Sequence, residues 1–184
     1  HHGRKGRLEN TLNITAIWLH ILGIALFVGP QFFLAFAWVP ASRQIEPLAM
    51  RVQAMRTITR RFAYIGGAGL GLIFIAGAYL ISSWRDFYGQ PDVEFTAIRY
   101  GVVFIVKMSV LLVMLAVVAL HTFWVGPKLV EALDAQARGR ANEAEVRRLR
   151  TLSMSLSITG LVLTLAIMVM GVMMNTTEFS FQDA

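Results

Sequence analysis

The chemistry this sequence could carry rests on a few polar side chains set in long apolar stretches: His20, Gln31, Lys107 and His121, with the thioethers of Met108 and Met168 as softer donors. Imidazole ligates haem iron and copper, and thioether sulfur suits Cu(I). A neutral, desolvated lysine can ligate a metal, whereas a charged one can hold a propionate or another anion. The chain has no cysteine, which excludes disulfides, thiolate metal sites and c-type haem attachment. It has no Ser/His/Asp grouping, no paired carboxylates within its apolar stretches and no phosphate-binding loop. Hydrolase chemistry is therefore not indicated, and the lack of intramembrane acids argues against a proton pump. The two histidines that open the chain, His1 and His2, are assigned no chemistry.

These side chains must be positioned by elements that live in lipid. Tyr100 to Pro127 is almost wholly apolar and exceeds the ~20 residues that cross a bilayer. Within it Tyr100, Lys107, Met114 and His121 recur every seven residues, a narrow helical stripe that drifts ~20° per repeat. A lysine at that depth costs ~2.5–3.5 kcal/mol on the insertion scale, so the stripe is expected to face something other than lipid. On the first span Asn13, His20 and Gln31 likewise return to nearly one face. Apolar residues make up 56% of the chain, above the roughly 45–50% of soluble domains.

The expected fold is an all-α integral membrane protein, four transmembrane helices in an antiparallel bundle. The spans are placed at about 11–39, 62–84, 98–127 and 150–174. They form a single membrane domain over 10–177, after a polar basic lead-in over 1–9 and before a polar tail over 178–184. Asn10 or Thr11 is a suitable helix cap; Pro30 bends the first span and Pro40 closes it. Ile45, Leu48, Val52 and Met55 recur at three- and four-residue intervals, which predicts a short interfacial helix between the first two spans. Gly67 and Gly71 form a small-xxx-small pair suited to helix packing, and Gly89 to Asp92 reads as a turn.

A net charge of +6 would suggest nucleic acid in a soluble protein, but here the basic residues sit between spans, and no nucleic-acid partner is expected. Arg43, Arg51, Arg56, Arg60 and Arg61 follow the first span; Lys128, Arg138, Arg140, Arg147, Arg148 and Arg150 follow the third. Those eleven outnumber Arg4, Lys5, Arg7, Arg85 and Arg99 on the other side, which places both termini outside by the positive-inside rule. The expected location is a bacterial inner membrane, in contact with lipid.

In that orientation the first and third spans run in the same direction. His20 and Lys107 then lie about eight and nine residues from their outer ends, roughly 12–14 Å deep. His121 falls about four turns, roughly 21 Å, below Lys107, so one haem cannot be ligated by both His20 and His121. Two levels result. The outer combines His20, Lys107, Gly77 and Met108 or Met168; the inner combines His121, Gln31, the Gly66 to Gly71 face and Ser153 or Ser157. For His121 the plain alternative is a hydrogen bond to a neighbouring helix.

Arg60-Arg61-Phe62 leading into a Gly-rich span, Gly77, Tyr100-Gly101, Val106-Lys107 and Val125-Gly126-Pro127-Lys128-Leu129 resemble the copper resistance protein D domain over roughly residues 60 to 174. Trp18-Leu19-His20 followed by Phe27-Val28-Gly29 is similar to the histidine-bearing helix that precedes this domain, and to haem-binding protoporphyrinogen oxidases of the HemJ type. The resemblance implies a four-helix unit handling copper or b-type haem, with the family histidine at His20 and the family lysine at Lys107. Pro30 stands where the usual first-span motif has its second glycine, and full-length copper resistance proteins have more spans.

The first functional expectation is a haem b protein for redox chemistry or electron transfer, ligated by His20 with Lys107 assisting; if an enzyme, it is an oxidoreductase. The second is copper uptake or homeostasis through His20, Met108 and Met168. The third is a cofactor-free structural subunit. In each, other membrane subunits or a homo-oligomer are expected partners.

Overall fold

The computed structural model describes residues 2–90, 92–140 and 142–184. His1, in the expected lead-in, and Pro91, in the expected turn, lie outside the described residues. Helix α1 (His2–Phe32) passes into a π-helical turn (Phe33–Trp38) and α2 (Val39–Ser42). After a short loop come α3 (Leu48–Ser82), α4 (Trp84–Tyr88) and a 3-10 turn (Phe95–Ala97). Then α5 (Arg99–Leu120) runs through a second π-helical turn (His121–Val125) into α6 (Gly126–Ala137). The chain ends in α7 (Glu143–Asn175) and α8 (Thr177–Ser180). Among the described residues there is no strand, only an isolated bridge between Ile98 and Asp183.

Four helical stretches, Leu8–Ser42, Leu48–Ser82, Arg99–Ala137 and Glu143–Asn175, are long and apolar enough to cross a membrane. The protein is thus an all-α integral membrane protein, as its composition implies. Large apolar side chains such as Ile14, Ile75, Leu112 and Phe123 point outward, which suits lipid rather than water.

Several boundaries differ from the sequence reading. Helix α1 starts at His2, well before Asn10, because no proline or capping side chain interrupts the lead-in. Pro40 does not close the first span; it sits in α2, just beyond the wider π turn. Pro127 stands in the same relation to the second π turn. A proline donates no hydrogen bond to the residue four before it and its ring crowds that carbonyl, here Phe36 and Phe123. Both carbonyls lie inside the π turns, where the widened backbone accommodates the clash.

The segment expected as an interfacial helix is helical from Leu48 but continuous with the second span. At 1.5 Å per residue the 35 residues of α3 measure about 52 Å, far beyond the ~30 Å hydrocarbon core. Its early turns therefore extend past the bilayer, where Arg51 and Arg56 are solvated.

The chain divides into two compact units, 1–33 with 60–92, and 34–59 with 93–184. In the first, α1 packs on the later part of α3 at a crossing of two glycines. A Cβ on Gly23 would stand 2.7 Å from the Gly69 carbonyl oxygen, and a Cβ on Gly69 the same distance from that of Gly23. Gly67 and Gly71, expected to form the packing pair, have nothing within 4 Å. The small-residue contact is real but turned to the neighbouring face of the helix.

In the second unit α7 packs against α5, the His121–Val125 turn and α6. Val52, Leu129, Leu133 and Val146 make a buried cluster, with Leu48, Met55 and Leu149 around it. Asn142 caps α7 by accepting from the Ala144 and Glu145 amides. The polar tail folds back: Arg99 donates to the Gln182 carbonyl at 3.0 Å, Ala184 to that of Ala97 at 3.1 Å, and Phe181 stacks on Tyr100.

Candidate functional site

His20 belongs to the first unit. Its Nδ1 lies 3.2 Å from the Ile73 carbonyl oxygen on α3. A carbonyl only accepts, so Nδ1 carries the proton and donates, and Nε2 is the basic nitrogen of the neutral ring. Gly77 explains how the ring reaches that carbonyl. It stands one helical turn after Ile73, where a side chain would overlie the same carbonyl. A Cβ there would be 3.3 Å from His20 Cε1 and 3.5 Å from Nδ1. The absent side chain makes room for the imidazole itself, so it does not argue separately for a flat macrocycle.

Elsewhere on the stripe, Asn13 Oδ1 is buried with no hydrogen-bond partner. Gln31 folds onto its own helix and donates to the Phe27 carbonyl at 3.2 Å. Neither Gln31 nor the Gly66–Gly71 stretch is drawn to His121 by any contact within this unit.

The second unit carries Lys107, Met108, His121 and Met168. The seven-residue stripe is turned inward: Tyr100 and Met114 are buried, Lys107 and His121 half-buried. The Lys107 ammonium sits 5.7 Å from the centre of the Phe104 ring, a cation–π contact one turn back on α5. Among the described residues it has no carboxylate partner. Met168 faces outward and Met108 is half-buried.

His121 bridges to α7, with Nε2 at 3.0 Å from Ser153 Oγ and 3.2 Å from Ser157 Oγ. The two serines are one turn apart and share a face, so one ring nitrogen meets both. This is the helix-to-helix hydrogen bond weighed as the plain alternative for His121, made by both serines rather than one. Sequence reasoning could not name the Ile73 carbonyl, because backbone acceptors leave no trace in residue type; the glycine four residues later was the available signal. Phe104 was legible, three residues before Lys107 on the same helix face.

The donor set limits what these residues can hold. Among the described residues there is no group of three or more His, Asp or Glu side chains that could hold a metal ion. One oriented imidazole fits a cation of low coordination number passing with thioether or amine help, as Cu(I) does, better than a resident ion caged by carboxylates and imidazoles.

Residues 56–173, well over half of the chain, match the family described as copper resistance protein D. Comparison with curated proteins and with solved structures finds no match.

Proposed function

This chain belongs to the copper resistance protein D family, and on that premise we propose that it serves copper uptake or homeostasis in the membrane, with copper as its cargo and His20 as the side chain that meets the ion. The observation that carries this is the hydrogen bond from His20 Nδ1 to the Ile73 carbonyl. Metal-ligating histidines characteristically donate their other ring N–H to a carbonyl or carboxylate, which fixes tautomer and orientation. Lys107, Met108 and Met168 are the proposed co-ligands or gating groups, Gly77 the residue that seats the ring, and Gln31 and His121 a second polar level. Four spans make a narrow bundle, so a transit path draws on a second copy or another membrane subunit. We place the protein in a bacterial inner membrane with both termini outside.

The haem b and electron-transfer reading uses the same imidazole, and the family's description puts copper ahead of it. One experiment separates the two. Detergent-purified protein is assayed for copper by elemental analysis and Cu(I) competition, with oxidised and dithionite-reduced absorption spectra in parallel. Copper that is bound by the native chain, lost in His20→Ala and kept in His121→Ala supports the proposal. A reduced b-type spectrum that disappears in His20→Ala would replace it with haem chemistry; neither cofactor, in material retaining native lipid, would leave a packing subunit.

A further inference from the structure

The second unit has a feature for which copper handling has no use. Where the 43–47 loop meets the ends of α6 and α7, an open pocket of about 420 Å3 is walled by three guanidinium groups, Arg43, Arg51 and Arg150, with Gln136 beside them. The three arginines come from separate elements: the loop after α2, the start of α3, and α7. Glu46 is the one carboxylate in the wall, and among the described residues none of the three arginines forms an ion pair.

An acid is present close by in the fold but is engaged elsewhere. Asp134 binds Arg138 at 2.7 Å and Arg56 at 3.6 Å. The pocket therefore gathers three positive charges against one negative, an arrangement in which the cations repel one another until an anion joins them. The amino end of the 35-residue α3 opens on the same space through Pro47 and Leu48, adding aligned N–H dipoles of the same sign. Guanidinium forks match phosphate oxygens in bidentate geometry.

We propose that this pocket binds a phosphate group, carried by the headgroup of an anionic membrane lipid or by a soluble phosphate. Its depth suits both sources. One candidate span ends at Ser42 and the next starts at Leu48, so the pocket sits where hydrocarbon gives way to headgroups. Ile45 and Leu48 add an apolar wall against which a glycerol backbone can rest.

The test uses the full chain in dodecyl maltoside at low ionic strength, following thermal unfolding by near-UV circular dichroism. The probes are dihexanoyl phosphatidylglycerol, dihexanoyl phosphatidylcholine and inorganic phosphate. A saturable rise in Tm with phosphatidylglycerol and not with phosphatidylcholine is expected. Arg51→Gln and Arg150→Gln each weaken that half-saturation about tenfold, the loss of one charge-assisted fork. Arg147→Gln and Arg148→Gln remove the same charge from a separate depression on α7 and are expected to change it less than about twofold.

Saturation by inorganic phosphate to the same plateau assigns the soluble source, and saturation by phosphatidylglycerol alone assigns the lipid; both uphold the site. Equal weakening by Arg147→Gln and Arg148→Gln would reduce the effect to diffuse charge and overturn the proposal. So would no saturable response to either phosphate probe, or an equal response to phosphatidylcholine. If Arg51→Gln does not fold, Arg43→Gln in the exposed loop and Arg51→Lys, which keeps charge without the fork, carry the same expectation of weakened binding.

Discussion

His20 and His121 are both half-buried imidazoles within apolar helices, yet their hydrogen bonds differ in kind. His20 meets a backbone carbonyl, which accepts and nothing else, so its tautomer is dictated. His121 meets two hydroxyls, which donate or accept as required, so its tautomer is left to the pair. A ring whose basic nitrogen is assigned by the scaffold is prepared to bind a cation. A ring satisfied by rotatable hydroxyls serves equally well in either form, which is what holding two helices together demands. Residue type and burial alone do not separate these roles; the chemistry of the partner does.

The largest expected effect tests the scaffold under His20. Gly69→Leu drives a side chain into the Gly23 backbone, and we predict a loss of at least ~3 kcal/mol, read as collapse of the unfolding midpoint in mixed micelles. Gly71→Leu, with open space at the Cβ, should change the midpoint by less than ~0.5 kcal/mol. If the two variants behave alike, the Gly23–Gly69 crossing is not what pairs these helices.

Next, His20→Ala should weaken Cu(I) competition by about a hundredfold or more, whereas His121→Ala should leave copper within about twofold and cost ~1–2 kcal/mol of stability. The reverse pattern would exchange the roles of the two histidines. Gly77→Ala is subtler. It crowds the imidazole off the Ile73 carbonyl, and about a tenfold loss of copper affinity is expected with little change in helix content. Smallest are Ser153→Ala and Ser157→Ala, each expected to cost ~0.6 kcal/mol or less because the other serine still meets Nε2. A double variant no worse than either single would show that the His121 bridge contributes nothing.

Much of the fold was legible from the sequence, because spans are written in uninterrupted apolar length and loops in their basic residues. The stripe from Tyr100 to His121 was readable for a related reason: a lysine in hydrocarbon must be turned away from lipid, and it is. Helix ends were less readable, since a helix can run on into water once the bilayer no longer limits it, as α3 does. The packing glycine was misread by two residues because all five glycines between Gly66 and Gly77 satisfy the same composition rule, and only the partner's backbone selects Gly69. Of the candidate site, residue type pointed to His20 and Gly77. The carbonyl that fixes the ring belongs to Ile73, a residue whose side chain gives no hint of it.

The π-helical turn at His121–Val125 also sets the phase of everything after it. Such a turn is in effect a one-residue insertion into a regular helix. Shortening the segment by one residue would rotate α6 by about 100° and draw it back ~1.5 Å. Leu129 and Leu133 would then swing away from Val52 and Val146, although every side chain of the cluster remained in the sequence. At this point of the chain, length is constrained more tightly than identity: many substitutions between His121 and Pro127 are compatible with the core, and a single deletion is not.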